Sequence, residues 1–193
     1  AAVRDSLAIQ FDLSKITLDS DNDGLTNIVE EKMLLNSNNS DTDGDGIIDS
    51  KDRNPRFKSI KTAKSILYEA LMEKYIFENN VDYQIDLSKL PKKRNYPQKY
   101  TNSISIFVTD DINVKGLEFD DETLVVMTSK EYKAYKQKYP FSFAKKNFSK
   151  MFLCDNEKNV YHIKTSSCMS GGTYLIKKND KGWEVSFRFG YII

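Results

Sequence analysis

The sequence predicts an α+β protein in which a small acidic loop module, residues 19–55, is followed by an antiparallel sheet with one or two packed helices. Three observations predict this. Two runs of alternating aspartates, each followed by glycine, begin 22 positions apart at Asp19 and Asp41. One long stretch, 59–79, carries apolar residues at helical spacing. Short alternating or β-branched runs bounded by turn residues then crowd the second half of the chain.

Residues 6–13, SLAIQFDL, put Leu7, Ile9, Phe11 and Leu13 on one face at period two, so residues 1–18 read as an N-terminal strand or linker. Between the aspartate runs, TNIVEEKMLL offers Ile28, Val29, Lys32, Met33 and Leu34 as one short helix, and Pro55 closes the module. From Ser59 to Asn79 the positions Ile60, Ala63, Ile66, Leu67, Ala70, Leu71, Lys74 and Tyr75 follow three-four spacing and predict a helix. The polar stretch VDYQIDLSKLPKKRNYPQKYTN reads mostly as loop. SISIFVTD, TLVVMT, KMFLCD, NVYHIKT, GTYLIKK and GWEVSFRFGYI read as strands, with NEKN and NDKG turning the last ones into hairpins. SKEYKAYKQKY interrupts them as a short helix, and residues 56–193 together form the α+β domain.

Charge is divided along the chain. Residues 1–54 carry 12 acidic against 5 basic side chains, whereas residues 55–193 carry 24 basic against 16 acidic. The basic excess is scattered apart from PKKRNYPQK, a solvated loop by composition, and no nucleic-acid motif accompanies it, so no nucleic-acid partner is expected. No run approaches the roughly 18 apolar residues of a membrane span, so membrane anchoring would need a segment upstream. AAVRDS lacks an apolar signal core, which fits either a protein that is not exported or a processed or trimmed product.

Like charges this crowded raise one another's energy unless a cation lies between them. Counted from Asp19, carboxylates fall at positions 1, 3 and 5 (Asp19, Asp21, Asp23), with Gly24 at 6, the Leu25 carbonyl at 7, Asn27 at 9 and Glu30 at 12. The second run repeats this as Asp41, Asp43, Asp45, Gly46, the Ile47 carbonyl, Asp49 and Asp52. Calcium takes about six to eight oxygens at roughly 2.3–2.6 Å, so the chain must coil around it with alternate side chains inward and a glycine at the sharp turn. Two calcium ions are therefore expected. Asp52 is one methylene shorter than Glu30 and is expected to bind through one oxygen or through water. An all-oxygen donor set argues against zinc and copper.

Residues 19–55 resemble bacterial thrombospondin type 3 repeats, whose running pattern NPDTDGDGLSDGDE is echoed by NNSDTDGDGIIDSKD and LDSDNDGLTNIVEE. Ser37 and Ser40 stand where that family usually has prolines, and only two repeats are present. The resemblance implies structural calcium in a secreted or cell-surface protein of bacterial origin. A dockerin also spaces two loops 22 residues apart but needs a helix after each, and Pro55 follows the second loop within three residues. The tail CMSGGTYLIKKNDKGWEV is loosely similar to small secreted proteins and lipoproteins of Bacteroidetes.

Catalytic signals are sparse. The single histidine, His162, shares a strand face with Val160 and Lys164 and reads as a partly exposed sheet residue. SSCMSGG lacks the lysine of a phosphate loop and reads as a turn. If Cys154 and Cys168 flank one strand, roughly 20 Å of extended chain separates them, beyond the ~7 Å limit for a bridge, so free thiols are expected. The expectation is an exported bacterial cell-envelope protein whose α+β domain binds a protein or surface ligand. The alternatives are an enzyme or toxin-type domain carried on a calcium-stabilised stalk, and an immunity or inhibitor protein.

Overall fold

The structure, a computed structural model, describes residues 12–77, 83–86, 103–119, 122–140, 143–148, 151–154, 158–166 and 170–192. Its elements in chain order are α1 (Leu13–Ile16), α2 (Asn27–Met33), α3 (Ala63–Phe77), β1 (Tyr83–Asp86), β2 (Ser103–Val108), β3 (Glu122–Met127), α4 (Ser129–Lys138), β4 (Ala144–Phe148), β5 (Phe152–Leu153), β6 (Val160–Ser166), β7 (Ser170–Asn179) and β8 (Gly182–Ile192). This is an α+β fold. Among the described residues no helix is long and apolar enough to cross a membrane.

The strands form one sheet in the order β1-β8-β7-β6-β4-β2-β3, with β5 also on β6. From β1 to β4 every neighbouring pair is antiparallel, and hairpin β7–β8 turns through Asp180 and Lys181. The far end departs from the antiparallel sheet that the sequence suggested: β2 runs parallel to both β3 and β4. Parallel neighbours need a long return connection. The turns after β2 supply one, and α4 supplies the other by carrying the chain from β3 across to β4. Strands covered on both faces carry continuous apolar runs, which accounts for the unbroken burial of Leu124, Val125, Val126 and Met127.

Each face of this parallel end packs on different helices. Leu67, Tyr68, Ala70 and Leu71 of α3 cover Phe107, Leu124 and Val126, joined by Ile163, Tyr174, Ile176, Trp183 and Val185 from the antiparallel strands. On the opposite side Met33 of α2 and Tyr135 of α4 cover Ile106, Val125 and Met127, with Leu25, Val29, Leu34 and Leu35 packed around them. The acidic module thus shares an apolar cluster with the sheet.

Other expectations shift in detail. Leu13 lies in α1, whose first turn is capped by Asp12 accepting from the Ser14 N–H, and is not in a strand; the rest of the proposed 6–13 strand, apart from Asp12, lies outside the described residues. The long helix begins at Ala63, where Thr62 and Ser65 exchange hydroxyl and backbone hydrogen bonds, so Ile60 falls outside it and is 65% exposed. Two strands were not anticipated, β1 within the polar stretch and β4 in AKKNF. Both are fixed by main-chain pairing to neighbours distant in sequence.

The chain leaving the second aspartate run is stitched to β3. Leu124 donates its N–H to the Arg53 carbonyl at 2.8 Å, and the Arg56 guanidinium donates to the Val126 carbonyl and pairs with Glu131 at 2.9 Å. Asn54 is fully buried and donates to the carbonyls of Lys115 and Leu117 at 2.6 and 2.9 Å. Residues 58–60 lie directly on Gly116, where a Cβ would stand 2.6 Å from the Lys58 carbonyl oxygen.

Candidate metal centre

The two aspartate runs fold into near-identical loops because their repeated residues do the same work. Position 1 organises each turn: Asp19 accepts from the N–H groups of Asn22 and Gly24 at 2.8 and 3.1 Å, and Asp41 accepts from Gly44, Asp45 and Gly46 at 2.8, 3.2 and 2.9 Å. Position 3 accepts from the N–H of position 5 (Asp21 from Asp23, Asp43 from Asp45), and position 5 from that of position 7 (Asp23 from Leu25, Asp45 from Ile47). The glycines at position 6 have φ of +102° (Gly24) and +98° (Gly46), a left-handed conformation that disfavours a side chain. Position 4 is left-handed too, with Asn22 at φ +60° and Gly44 at +73°.

This coiling converges the carboxylates. One oxygen from each of Asp19, Asp21 and Asp23 lies within 4.8 Å of the others, and the same holds for Asp41, Asp43 and Asp45. Glu30 is contributed by α2 and Asp52 by the exit of the second loop, 0% and 3% exposed respectively. Both Glu30 oxygens, Asp21 Oδ2, Asp43 Oδ2 and Asp52 Oδ2 are buried with no hydrogen-bond partner. The other Asp52 oxygen accepts from the Asn54 N–H at 2.8 Å, which leaves that side chain a single free oxygen.

The charges bear this out. Burial, reinforced by Asp21, Asp23, Asp49 and Asp19, pushes the Glu30 carboxyl up to about 7. Burial does the same to Asp52, up to about 7 against the opposing Asn54 N–H, with Asp45 and Asp43 adding repulsion. Asp43 rises to about 6, again chiefly by burial and then by Asp45. Asp41 is held below the usual carboxylate range by the Gly46 N–H, against some burial, with Gly44 and Asp45 assisting. A buried carboxyl without donors is costly in either protonation state, and a cation relieves the cost in the ionised one. The residues present therefore fit two metal ions bound by hard oxygen donors.

The candidate ligands are not all equivalent. Asn27 Oδ1 accepts the Ser20 N–H at 3.0 Å while its amide donates to the Ser20 hydroxyl at 2.8 Å. Asp49 accepts from the Thr42 N–H at 2.9 Å and the Thr42 hydroxyl at 2.6 Å. Position 9 thus clasps position 2 in both loops. Leu25 and Ile47 follow the glycines, their N–H groups bonded to position 5 at 2.6 and 2.9 Å.

Sequence reasoning missed the contacts that join and flank the loops. Ser50 donates its N–H to Asp23 Oδ2 at 3.0 Å and its hydroxyl to the Asp23 carbonyl at 2.5 Å, so the second loop sits against the first. Lys58 donates to the Gly44 carbonyl at 2.6 Å beside Asp41 and Asp43. The paired hydroxyls at position 2 and the left-handed formers Asn22 and Gly44 at position 4 were signals already present in the repeat.

Away from the loops, His162 is half-buried on β6 and stacks on Phe152 of β5 with ring centroids 5.2 Å apart. Phe152 and the adjacent Leu153 are exposed, and Cys154 beside them is a free thiol. Cys168 lies outside the described residues, as does the centre of SSCMSGG; Ser166 ends β6, while Ser170, Gly171 and Gly172 begin β7. No protein-family model matches the chain, and no curated protein or solved structure matches it.

Proposed function

We propose that the two loops each hold one calcium ion as a structural element of the thrombospondin type 3 kind, in an exported bacterial cell-envelope protein whose α+β domain binds a protein or surface ligand. The observation that carries the metal reading is Glu30: a fully buried carboxyl on α2, both oxygens without a hydrogen-bond partner, repelled by the three aspartates of the first loop. Calcium fits this set better than magnesium. A bidentate glutamate with several carboxylates suits a large flexible shell, whereas magnesium keeps most of its waters and demands six regular positions. Loops of this kind in extracellular modules work at about millimolar calcium, which supports a site outside the cytoplasm.

The role of the ions is to hold the module against the sheet. Glu30 and Met33 lie on the same short helix, one facing the aspartates and the other the Ile106, Val125 and Met127 cluster. Fixing Glu30 on an ion therefore fixes Met33 in the core. The exposed aromatic ring of Phe152 stacked on His162 favours ligand binding over catalysis for the α+β domain.

Calorimetric titration of the chelator-stripped chain with calcium chloride should give about two sites, with magnesium chloride much weaker and zinc chloride not preferred. Absence of calcium heat, or preference for zinc, would overturn the reading.

A further inference from the structure

Asp49 poses a question that its hydrogen bonds do not answer. Its two oxygens are engaged by the N–H and hydroxyl of Thr42, and the side chain is 1% exposed. The matching residue of the first loop, Asn27, makes the same two-point clasp on Ser20 with a neutral amide. The clasp itself therefore needs no charge. A buried negative charge among other carboxylates works against the metal-free fold, and it becomes favourable only beside a cation.

Its location says which cation. Thr42, which holds Asp49, lies between Asp41 and Asp43 of the second loop. Ser50, the residue after Asp49, is bonded through N–H and hydroxyl to Asp23 of the first loop. Asp49 is thus fixed between the loops, and its charge bears on Glu30 and Asp23 on one side and on Asp41 on the other.

We propose that the Asp49 carboxylate is a charge shared by both cation sites: pinned by Thr42 between the loops, it strengthens binding at each without being a direct ligand of either. This rests on the reading that both loops hold calcium. Asp49 is then an affinity-determining positioned charge that attracts the ion in either site whether or not the other is filled.

The test is calorimetric titration of the full chain with calcium chloride at pH 8, after removal of chelator, for the wild type, Asp49→Asn and Thr42→Val. Asn reproduces the Asn27 clasp, so Asp49→Asn should fold, melt higher than the wild type without metal, and bind calcium on the order of 10-fold more weakly at both sites. Thr42→Val keeps the charge and the backbone half of the clasp and should leave both affinities within about 3-fold. Weakening of the second site alone would make Asp49 an ordinary ligand of its own loop and overturn the proposal. Equal weakening by Thr42→Val would show that the clasp matters and the charge does not. An Asp49→Asn chain without native circular dichroism would refute the equivalence with Asn27 and, with it, the proposal, because the charge would then be needed for the clasp itself. A wild type that binds no calcium would instead remove the calcium reading, and this inference with it.

Discussion

Glu30→Gln should change sign with calcium. The carboxyl titrates near 7 in the fold against 4.5 for the free side chain. The folded state therefore holds this proton more tightly than the open chain does. Metal-free stability from this group is fully present below pH 4.5, falls as pH rises from there to 7, and is lost above. At pH 8 the ionised side chain costs the metal-free fold about 3 kcal/mol relative to its protonated form. Glutamine has the shape of the protonated acid and no charge to bury. In EDTA at pH 8 the variant should melt higher than the wild type, by about 2–4 °C for each kcal/mol recovered in a chain of this size. Below pH 4.5 the two should coincide. In calcium the order reverses, because a site filled at about 1,000 times its Kd contributes about 4 kcal/mol, more than the charge costs, and the amide forfeits most of that with the bidentate ligand. The assay is a set of circular-dichroism melts of both proteins in EDTA and in 5-fold steps of calcium chloride at pH 8 and pH 4. A variant that melts below the wild type by the same margin in EDTA as in calcium would refute the reasoning, since Glu30 would then serve packing and not a cation.

Asp52→Asn should lower the calcium-bound melting midpoint less than Glu30→Gln does, because Asp52 has one free oxygen where Glu30 has two; the opposite ranking would make the second loop the anchor. Chelation should open residues 19–55 to limited proteolysis and raise dye binding to the Ile106, Val125 and Met127 face, with the α3 side of the sheet retained; an unchanged digestion pattern would contradict the link between ion and packing. Met33→Ala removes a side chain only 2% exposed and should cost about 2–5 kcal/mol in urea unfolding with calcium present, whereas a loss under about 1 kcal/mol would mean that α2 is not seated in the core.

The loops were legible because their carboxylates recur at a fixed spacing that cation coordination would impose, so Asp19 through Asp52 could be counted without knowing the fold. The long helix and the later hairpins were legible from local periodicity. What escaped was decided between distant segments. AKKNF has a poor strand composition, yet β4 is held between β2 and β6 by main-chain bonds that no local pattern reports. Ser50 carries no local signal of its role, because its partner, Asp23, lies 27 positions earlier. The parallel end could have been suspected from LVVM, since a strand with one wet face would have alternated.

The stitching of Arg53–Arg56 along β3 bears on how this molecule behaves in company. β3 is the last strand in the sheet order, and the Leu124 N–H and Val126 carbonyl are the groups that another polypeptide would need in order to add a strand there. The molecule has spent both on its own chain: a backbone carbonyl meets the donor, and a guanidinium pinned by Glu131 meets the acceptor. Among the described residues the sheet therefore ends at β3 with these two edge groups occupied, and neither is open as a template for edge-to-edge growth.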